Sequence, residues 1–457
     1  MDTLIYQTLG KPPYDEVSYQ IHDQNHGEWR IKGGVKFLSQ ALYSHYAERG
    51  CSPRIVFLYP NSLSNRPDDP DSVMREARER ISEICGDCDF DVLIVNSIGR
   101  YRINGREWVF ENTPGNISVQ VFLDMRERTR GWAGGSRRVV ADISTGHNLY
   151  VVPILDALRA LLVYSKLKSG VRGRPIEAYY AASDPIIKDA RPDLPKRVFL
   201  QEYDVKAFFE LPIKGGGRGT IEEFSKLENY IESIDGDPKA REGIHRGTRA
   251  EREGIKGILE NLILMFNSIK LNAPLFLYTD AVRRDLDAEG LEGRLAEFFK
   301  GQLRPIRDGN RIYVQRLRAK GVFNLFFSIA LYDWMAKKMG EIGDRAFAGK
   351  MKGAFMDIYD QFGLWLNKMF LKRDIEEMEA RKEWIKEGWT PLSELLESGP
   401  ESSKEAKILS NEVRNFFAHS GLGKSVVEVR KCGEDIELRY KRDRLNEVRE
   451  WLIKSMG

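Results

Sequence analysis

The amino-acid sequence predicts an α/β N-terminal half followed by a mainly helical C-terminal half. Three observations predict it. Short apolar runs recur through the first two hundred positions, each between a turn signal and a stretch of helical periodicity. Beyond about residue 205 they give way to long segments with apolar residues at helical spacing. Near the C-terminus two β-rich runs flank Gly433-Glu434-Asp435, the pattern of a hairpin.

Residues 4–9 (LIYQTL) read as the first strand, closed by Gly10-Lys11-Pro12-Pro13, and residues 17–21 as a second. Helical spacing follows over 35–49, with Phe37, Leu38, Ala41, Leu42 and Tyr46 on one face. The run 54–59 (RIVFLY) is a strand ended by the turn Pro60-Asn61-Ser62, and a charged helix follows over 72–85. Further strands are expected at 91–96, 138–143, 176–181 and 197–202, with a long apolar helix at 149–167. Strands apolar on both faces and separated by helices make a mostly parallel, Rossmann-like sheet. Lys214-Gly215-Gly216-Gly217-Arg218 then breaks the pattern. Helices are expected over 221–234, 255–269, 282–287, 312–320, 323–339, 345–378 and 403–419, and the Gly/Arg-rich stretch 241–254 reads as a loop or linker. Strands at 426–429 and 436–440 should pair, and an amphipathic helix over 442–454 ends the chain.

A chain of 457 residues predicts two to four domains. With 42% hydrophobic and 11% aromatic residues there is apolar material for true cores, so disorder is excluded for most of it. The 71 Lys+Arg against 68 Asp+Glu leave a net charge of +3, which argues against a polybasic mode of nucleic-acid binding. No apolar run approaches the roughly 18 residues of a membrane span, and the opening MDTLIYQTLG has no leader pattern; a cytoplasmic protein without a membrane partner is expected. Cys85 and Cys88 have CxxC spacing, but no second CxxC accompanies them and Cys51 and Cys432 are isolated, which favours a structural or incidental role. His22 and His26 stand four apart in a loop-like context, a poor metal site, and no metal or cofactor is expected.

Two segments could carry chemistry. Asp142-Ile143-Ser144-Thr145-Gly146-His147-Asn148 sits where a buried strand hands over to a long helix. Unpaired N–H groups and the positive dipole end at such a helix start attract anions, and ligands of open α/β sheets bind at strand carboxyl ends. A capped helix start with a structural Asp142 is the alternative. Gly10, Lys11 and Tyr14 after the first strand, and Asn61 and Ser62 after the strand at 54–59, would share that rim; Lys11 suits a phosphate and Tyr14 a base, or the loop is simply a turn. The second segment is Arg414-Asn415-Phe416-Phe417-Ala418-His419, at the end of an amphipathic helix stopped by Ser420-Gly421. Asn415 and His419 are i,i+4, so the amide can orient the imidazole. Arg414 lies about 140° around an ideal helix from His419, which points to a site shared across a dimer seam. Arginine to hold a phosphate and histidine as general acid or base suit metal-free RNA cleavage.

Taken in order, these features resemble the CARF–HEPN ribonucleases of type III CRISPR defence, the Csx-type accessory nucleases. The likeness rests on the strand and loop Thr8–Tyr14, on Asp142–Asn148, similar to that family's Asp-x-Thr-His-Gly motif, and on Arg414-Asn415-x3-His419, similar to its HEPN signature. In the second motif Thr145 is displaced by one, and Gly146 and His147 are exchanged. The resemblance implies a CARF ligand-sensing domain over residues 1–204, a helical linker over 205–300 and a HEPN domain over 301–457. It implies a homodimer, or a multiple of dimers, activated by cyclic oligoadenylate, with cyclic tetra-adenylate the expected ring. It implies cleavage of single-stranded RNA to 2′,3′-cyclic phosphates by Arg414, Asn415 and His419, with Gly10, Lys11, Asn61, Ser62, Ser144, Thr145, Gly146, His147 and Asn148 holding the activator. The alternative is a ligand sensor whose helical half binds nucleic acid or a protein without cutting.

Overall fold

The structure, a computed structural model, describes residues 2–11, 14–23, 27–30, 34–130, 137–144, 148–170, 175–184, 194–213, 218–397 and 412–454. The N-terminal elements run β1 (Asp2–Thr8), β2 (Tyr19–Asp23), β3 (Gly27–Arg30), α1 (Leu38–Ala47), β4 (Ser52–Pro60), α2 (Pro70–Cys85), β5 (Phe90–Val95), β6 (Gly99–Ile103), β7 (Arg106–Glu111), α3 (Pro114–Arg130), β8 (Arg137–Asp142), α4 (Asn148–Ser169), β9 (Glu177–Ser183) and β10 (Lys196–Glu202). Eight strands form one sheet in the order β3-β2-β10-β9-β8-β1-β4-β5. The stretch β9-β8-β1-β4-β5 is parallel throughout, with β10 antiparallel to β9.

Alternation along the strands shows why this sheet is covered on both faces. Leu4, Tyr6, Val56 and Leu58 enter one apolar layer with α3 and α4; Ile5, Ile55, Phe57 and Tyr59 enter the other with α1 and α2. Helix α4 is long and apolar enough to cross a membrane by length and composition, a property the reading of apolar runs passed over. Its apolarity is used inside the protein: it packs against β8, β1, α3 and the central helix of the C-terminal half.

The second half contains α5 (Arg218–Ser225), α6 (Pro238–Gly247), α7 (Arg249–Lys270), α8 (Ala288–Gln302), the strands β11 (Ile306–Asp308) and β12 (Arg311–Tyr313), and α9 (Ala319–Glu341). It ends with β13 (Ala346–Phe347), α10 (Ala348–Phe362), α11 (Trp365–Glu379), β14 (Thr390–Pro391), α12 (Leu392–Glu397), α13 (Glu412–Ala418), β15 (Val427–Cys432), β16 (Asp435–Tyr440) and α14 (Leu445–Lys454). The hairpin β15–β16 forms as expected, inside a four-stranded sheet ordered β13-β16-β15-β14.

Several expectations are corrected. Residues 241–254 are helical except at Thr248, where α6 passes into α7; Asp237 caps α6 through the N–H groups of Lys239 and Ala240, with Pro238 in the first turn. Residues 282–287 are not a helix: Asp287 caps α8 instead, and the Arg283 and Leu286 N–H groups go to Asn261 and Tyr332 side chains. The stretch 312–320 divides between β12 and the start of α9, since pairing with β7 overrides helix propensity. The expected helix 345–378 breaks at Gly363, left-handed at φ 70°. The sequence reading also lacked α3, β3 and the β6–β7 hairpin, which joins β12 and β11 in a second sheet. The part of the expected helix at 403–411 lies outside the described residues.

Candidate functional site

The carboxyl ends of β1 and β4 open onto a cleft of about 640 Å³. Thr8, Leu9, Gly10 and Lys11 line it from β1, Ser62 to Asn65 from the turn after β4, and Tyr150 from the first turn of α4. The far wall is the β6–β7 hairpin, residues Arg100 to Asn104. Asn104 (φ 48°) and Gly105 (φ 78°) make the left-handed pair that a two-residue hairpin turn requires. Four cations, Lys11, Arg80, Arg100 and Arg102, line the cleft, and no carboxylate stands among its described lining residues. Such a wall favours a polyanion of nucleotide size. Burial pushes the Tyr150 phenol up to about 12, and its hydroxyl oxygen is buried.

The residues read from sequence divide here. Gly10, Lys11 and Ser62 line the cleft. Asn61 lies beneath its floor: Nδ2 donates to Asn96 Oδ1 at 3.1 Å, and Oδ1 accepts the Ser97 N–H at 2.9 Å. The Tyr14 hydroxyl donates to the Gly10 carbonyl and its ring packs on Phe37, so Tyr14 holds the loop. Ser144 gives both its N–H (2.9 Å) and its hydroxyl (2.6 Å) to Asp142 Oδ1. Burial raises the Asp142 carboxyl to about 6, against the lowering pull of those bonds. Asn148 is exposed at the start of α4, and Thr145, Gly146 and His147 lie outside the described residues. The reading missed Arg80, Arg100, Arg102 and Tyr101. Asn104-Gly105 between alternating residues was the available signal for the hairpin that carries three of them.

A ladder of asparagines runs from the cleft floor toward the C-terminal half. Asn96 accepts from Asn61 and donates to the Leu303 carbonyl at 3.0 Å, just past α8. Asn112 donates to the Asn96 carbonyl at 2.7 Å and accepts from Asn116 at 2.9 Å. Asn116 in turn donates to the Gln315 carbonyl at 3.0 Å and accepts the Leu317 N–H at 2.9 Å, immediately before α9.

The second site lies at the end of α13. Phe416 is buried against Tyr440 and Trp451 and anchors the helix, while Phe417 lines an open cavity. Ser420 (φ 54°) and Gly421 (φ 69°) end the helix in the left-handed region, with the Gly421 N–H on the Phe416 carbonyl at 2.9 Å. The turn sets His419, half exposed, into a cavity of about 440 Å³ lined also by Lys270, Asn367, Phe370 and Arg373. Arg414 and Asn415 are exposed on α13, and neither lines that cavity. Beneath the imidazole is Asp374 of α11, whose Oδ1 lies 3.9 Å from His419 Nδ1, in ion-pair range but longer than a hydrogen bond. Burial raises the Asp374 carboxyl, but contacts from His419, Ser420 and Arg373 outweigh it and hold the group below its usual range. No spacing along the chain connects Asp374 with His419. Among the described residues no three His, Cys, Asp or Glu side chains gather as a metal-binding group, and the four cysteines are free.

Comparison with known families covers both sites. Residues 4–185 match the family model described as CRISPR system endoribonuclease Csx1, CARF domain, and residues 365–442 the one described as CRISPR system endoribonuclease Csx1, HEPN domain. The first span contains β1, β4 and the cleft hairpin; the second contains Asp374 and Arg414 to His419. No curated protein gives a significant match.

Proposed function

The chain belongs to the Csx1-type CARF–HEPN proteins, CRISPR-associated ribonucleases regulated by ligand binding, and from that premise we propose that it is a cyclic-oligoadenylate-activated, metal-independent endoribonuclease. The observation that carries the reading is the pairing of a four-cation cleft in the CARF span, with no carboxylate among its described lining residues, with an open histidine site in the HEPN span. Lys11, Arg80, Arg100 and Arg102 receive the phosphates of the activator, and Tyr101 and Tyr150 offer their rings to its nucleosides.

At the second site the substrate is single-stranded RNA. A base takes the proton of a 2′-hydroxyl, O2′ attacks the adjacent phosphorus, and the bond to O5′ breaks as that oxygen is protonated. The products are a 2′,3′-cyclic phosphate and a 5′-hydroxyl. His419 supplies acid–base chemistry, and an arginine stabilises the charge on the phosphorus oxygens. Arg414 stands outside the cavity that His419 lines, so the complete site draws on two copies of the chain in a homodimer. Domain limits near residues 204 and 300 belong to the same proposal, as does a cytoplasmic location.

Labelled RNA incubated in EDTA, with and without cyclic tetra- or hexa-adenylate, tests the reading. Cleavage only with one of the rings, leaving cyclic-phosphate ends, is expected. His419→Ala should lower the rate ~10²-fold or more while activator binding persists. Ring-bound protein that leaves RNA intact would instead identify a non-cutting sensor.

A further inference from the structure

We infer that Asp374 is the positioning residue for His419, fixing which imidazole nitrogen faces the RNA; the inference rests on His419 being the acid–base group. Four buried side chains form a directed string behind the ring. The Tyr359 hydroxyl donates to Asn272 Oδ1 at 2.8 Å, Asn272 Nδ2 donates to Ser420 Oγ at 3.0 Å, and the Ser420 hydroxyl donates to Asp374 Oδ2 at 2.7 Å. Each donor points the same way, toward the carboxylate. Arg373 completes it, giving Nη2 and Nε to Oδ1 at 2.8 and 3.1 Å.

Capping the turn at Ser420 needs only a neutral acceptor. A carboxylate that is 7% exposed is costly to bury, and this one ends opposite Nδ1 of a half-exposed histidine. The charged groups facing the ring explain why an acid stands there. Arg373 from α11 and Lys270 from the end of α7 line the same cavity. These cations oppose the imidazolium that forms when His419 takes the 2′-hydroxyl proton. Asp374 offsets them and keeps the Nδ1 proton on its own side, which leaves Nε2 for the substrate.

The test uses the full chain with labelled RNA and an excess of both cyclic tetra- and hexa-adenylate. Asp374→Asn should lower kcat ~10–100-fold with KM nearly unchanged, and Asp374→Glu should recover part of the loss. Placed on His419→Ala, the same change should cost nothing more, because it acts through that ring. Imidazole ¹⁵N spectra supply a readout independent of activity. Neutral His419 should carry its proton on Nδ1 in the wild type and shift toward Nε2 in Asp374→Asn, with melting temperatures alike. Wild-type cleavage by Asp374→Asn, an Nε2–H tautomer in the wild type, or an undiminished additional loss on His419→Ala would each overturn the inference. Full activity of His419→Ala would overturn the functional reading instead.

Discussion

Asp142 closes β8 with its carboxyl fully buried, and that burial raises its affinity for a proton. The folded state therefore keeps the proton to about pH 6, whereas an unfolded aspartate releases it near pH 4. Between those values the native state binds more protons, so stability falls as pH rises. At about 1.4 kcal/mol per pH unit the loss across that interval is on the order of 3 kcal/mol. Asp142→Asn keeps an oxygen for the two Ser144 bonds and removes the titration. Urea unfolding of both proteins at pH 4, 5, 6 and 7 should show a difference that grows in favour of the variant up to pH 6 and is constant above it. Parallel curves would mean the carboxyl is not desolvated. At this scale the sequence marked Asp142 and His419 by position in their segments, yet it gave no sign of Asn61 turning beneath the cleft floor. That orientation is set by Asn96 and Ser97, some 35 residues away along the chain.

Helix α13 owes its end to the turn at Ser420-Gly421, and the turn can be tested against another of similar backbone. A Cβ at Gly421 would lie 2.6 Å from the Ala273 Cα, a backbone atom that cannot step aside. Gly421→Ala should cost about 2–5 kcal/mol, from left-handed strain plus overpacking, and should reduce cleavage by displacing His419. Gly433→Ala in the β15–β16 turn shares the positive φ, at 60°, but meets nothing within 4 Å; it should cost about 1 kcal/mol and leave cleavage intact. Equal losses in chemical denaturation would deny the backbone clash. Elements whose apolar pattern is local were legible: β1, β4, α4 and the β15–β16 pair fall where periodicity places them. The helix over 312–320 was misread because β12 is held between β11 and β7, and β7 lies some 200 residues earlier. The α6 start was legible in principle, since Asp237-Pro238 is a cap signal, but the glycines and arginines after it obscured it.

Across the whole molecule, one buried cluster ties α8 to the helices that cover the large sheet. Glu292, 1% exposed, accepts from Arg126 of α3 at 2.8 Å, Tyr164 of α4 at 2.8 Å and Lys168 of α4 at 3.2 Å. Glu292→Ala strands the Arg126 guanidinium in the core and should cost about 3–5 kcal/mol in urea unfolding; adding Arg126→Met should return much of it. Failure of the second change to compensate would mean the pair's surroundings, rather than its charges, set the loss. The two halves are joined differently at the cleft, where the asparagine ladder consists of neutral amides while the walls above it are cationic. Dissolved salt therefore acts on the two unequally. Raising ionic strength from about 0.1 to about 1 M shortens screening from about 10 to about 3 Å, which weakens attraction between the four cations and a phosphate ring. Amide-to-carbonyl bonds buried under the floor carry no net charge to screen. At saturating RNA, the activator concentration for half-maximal cleavage should climb with salt while the plateau holds. A plateau that sank in step would assign the link to the exposed Arg311–Glu111 ion pair between β12 and β7. With a level plateau, the same chain would sense its activator sharply in dilute solution and sluggishly in brine, yet respond with equal force once occupied.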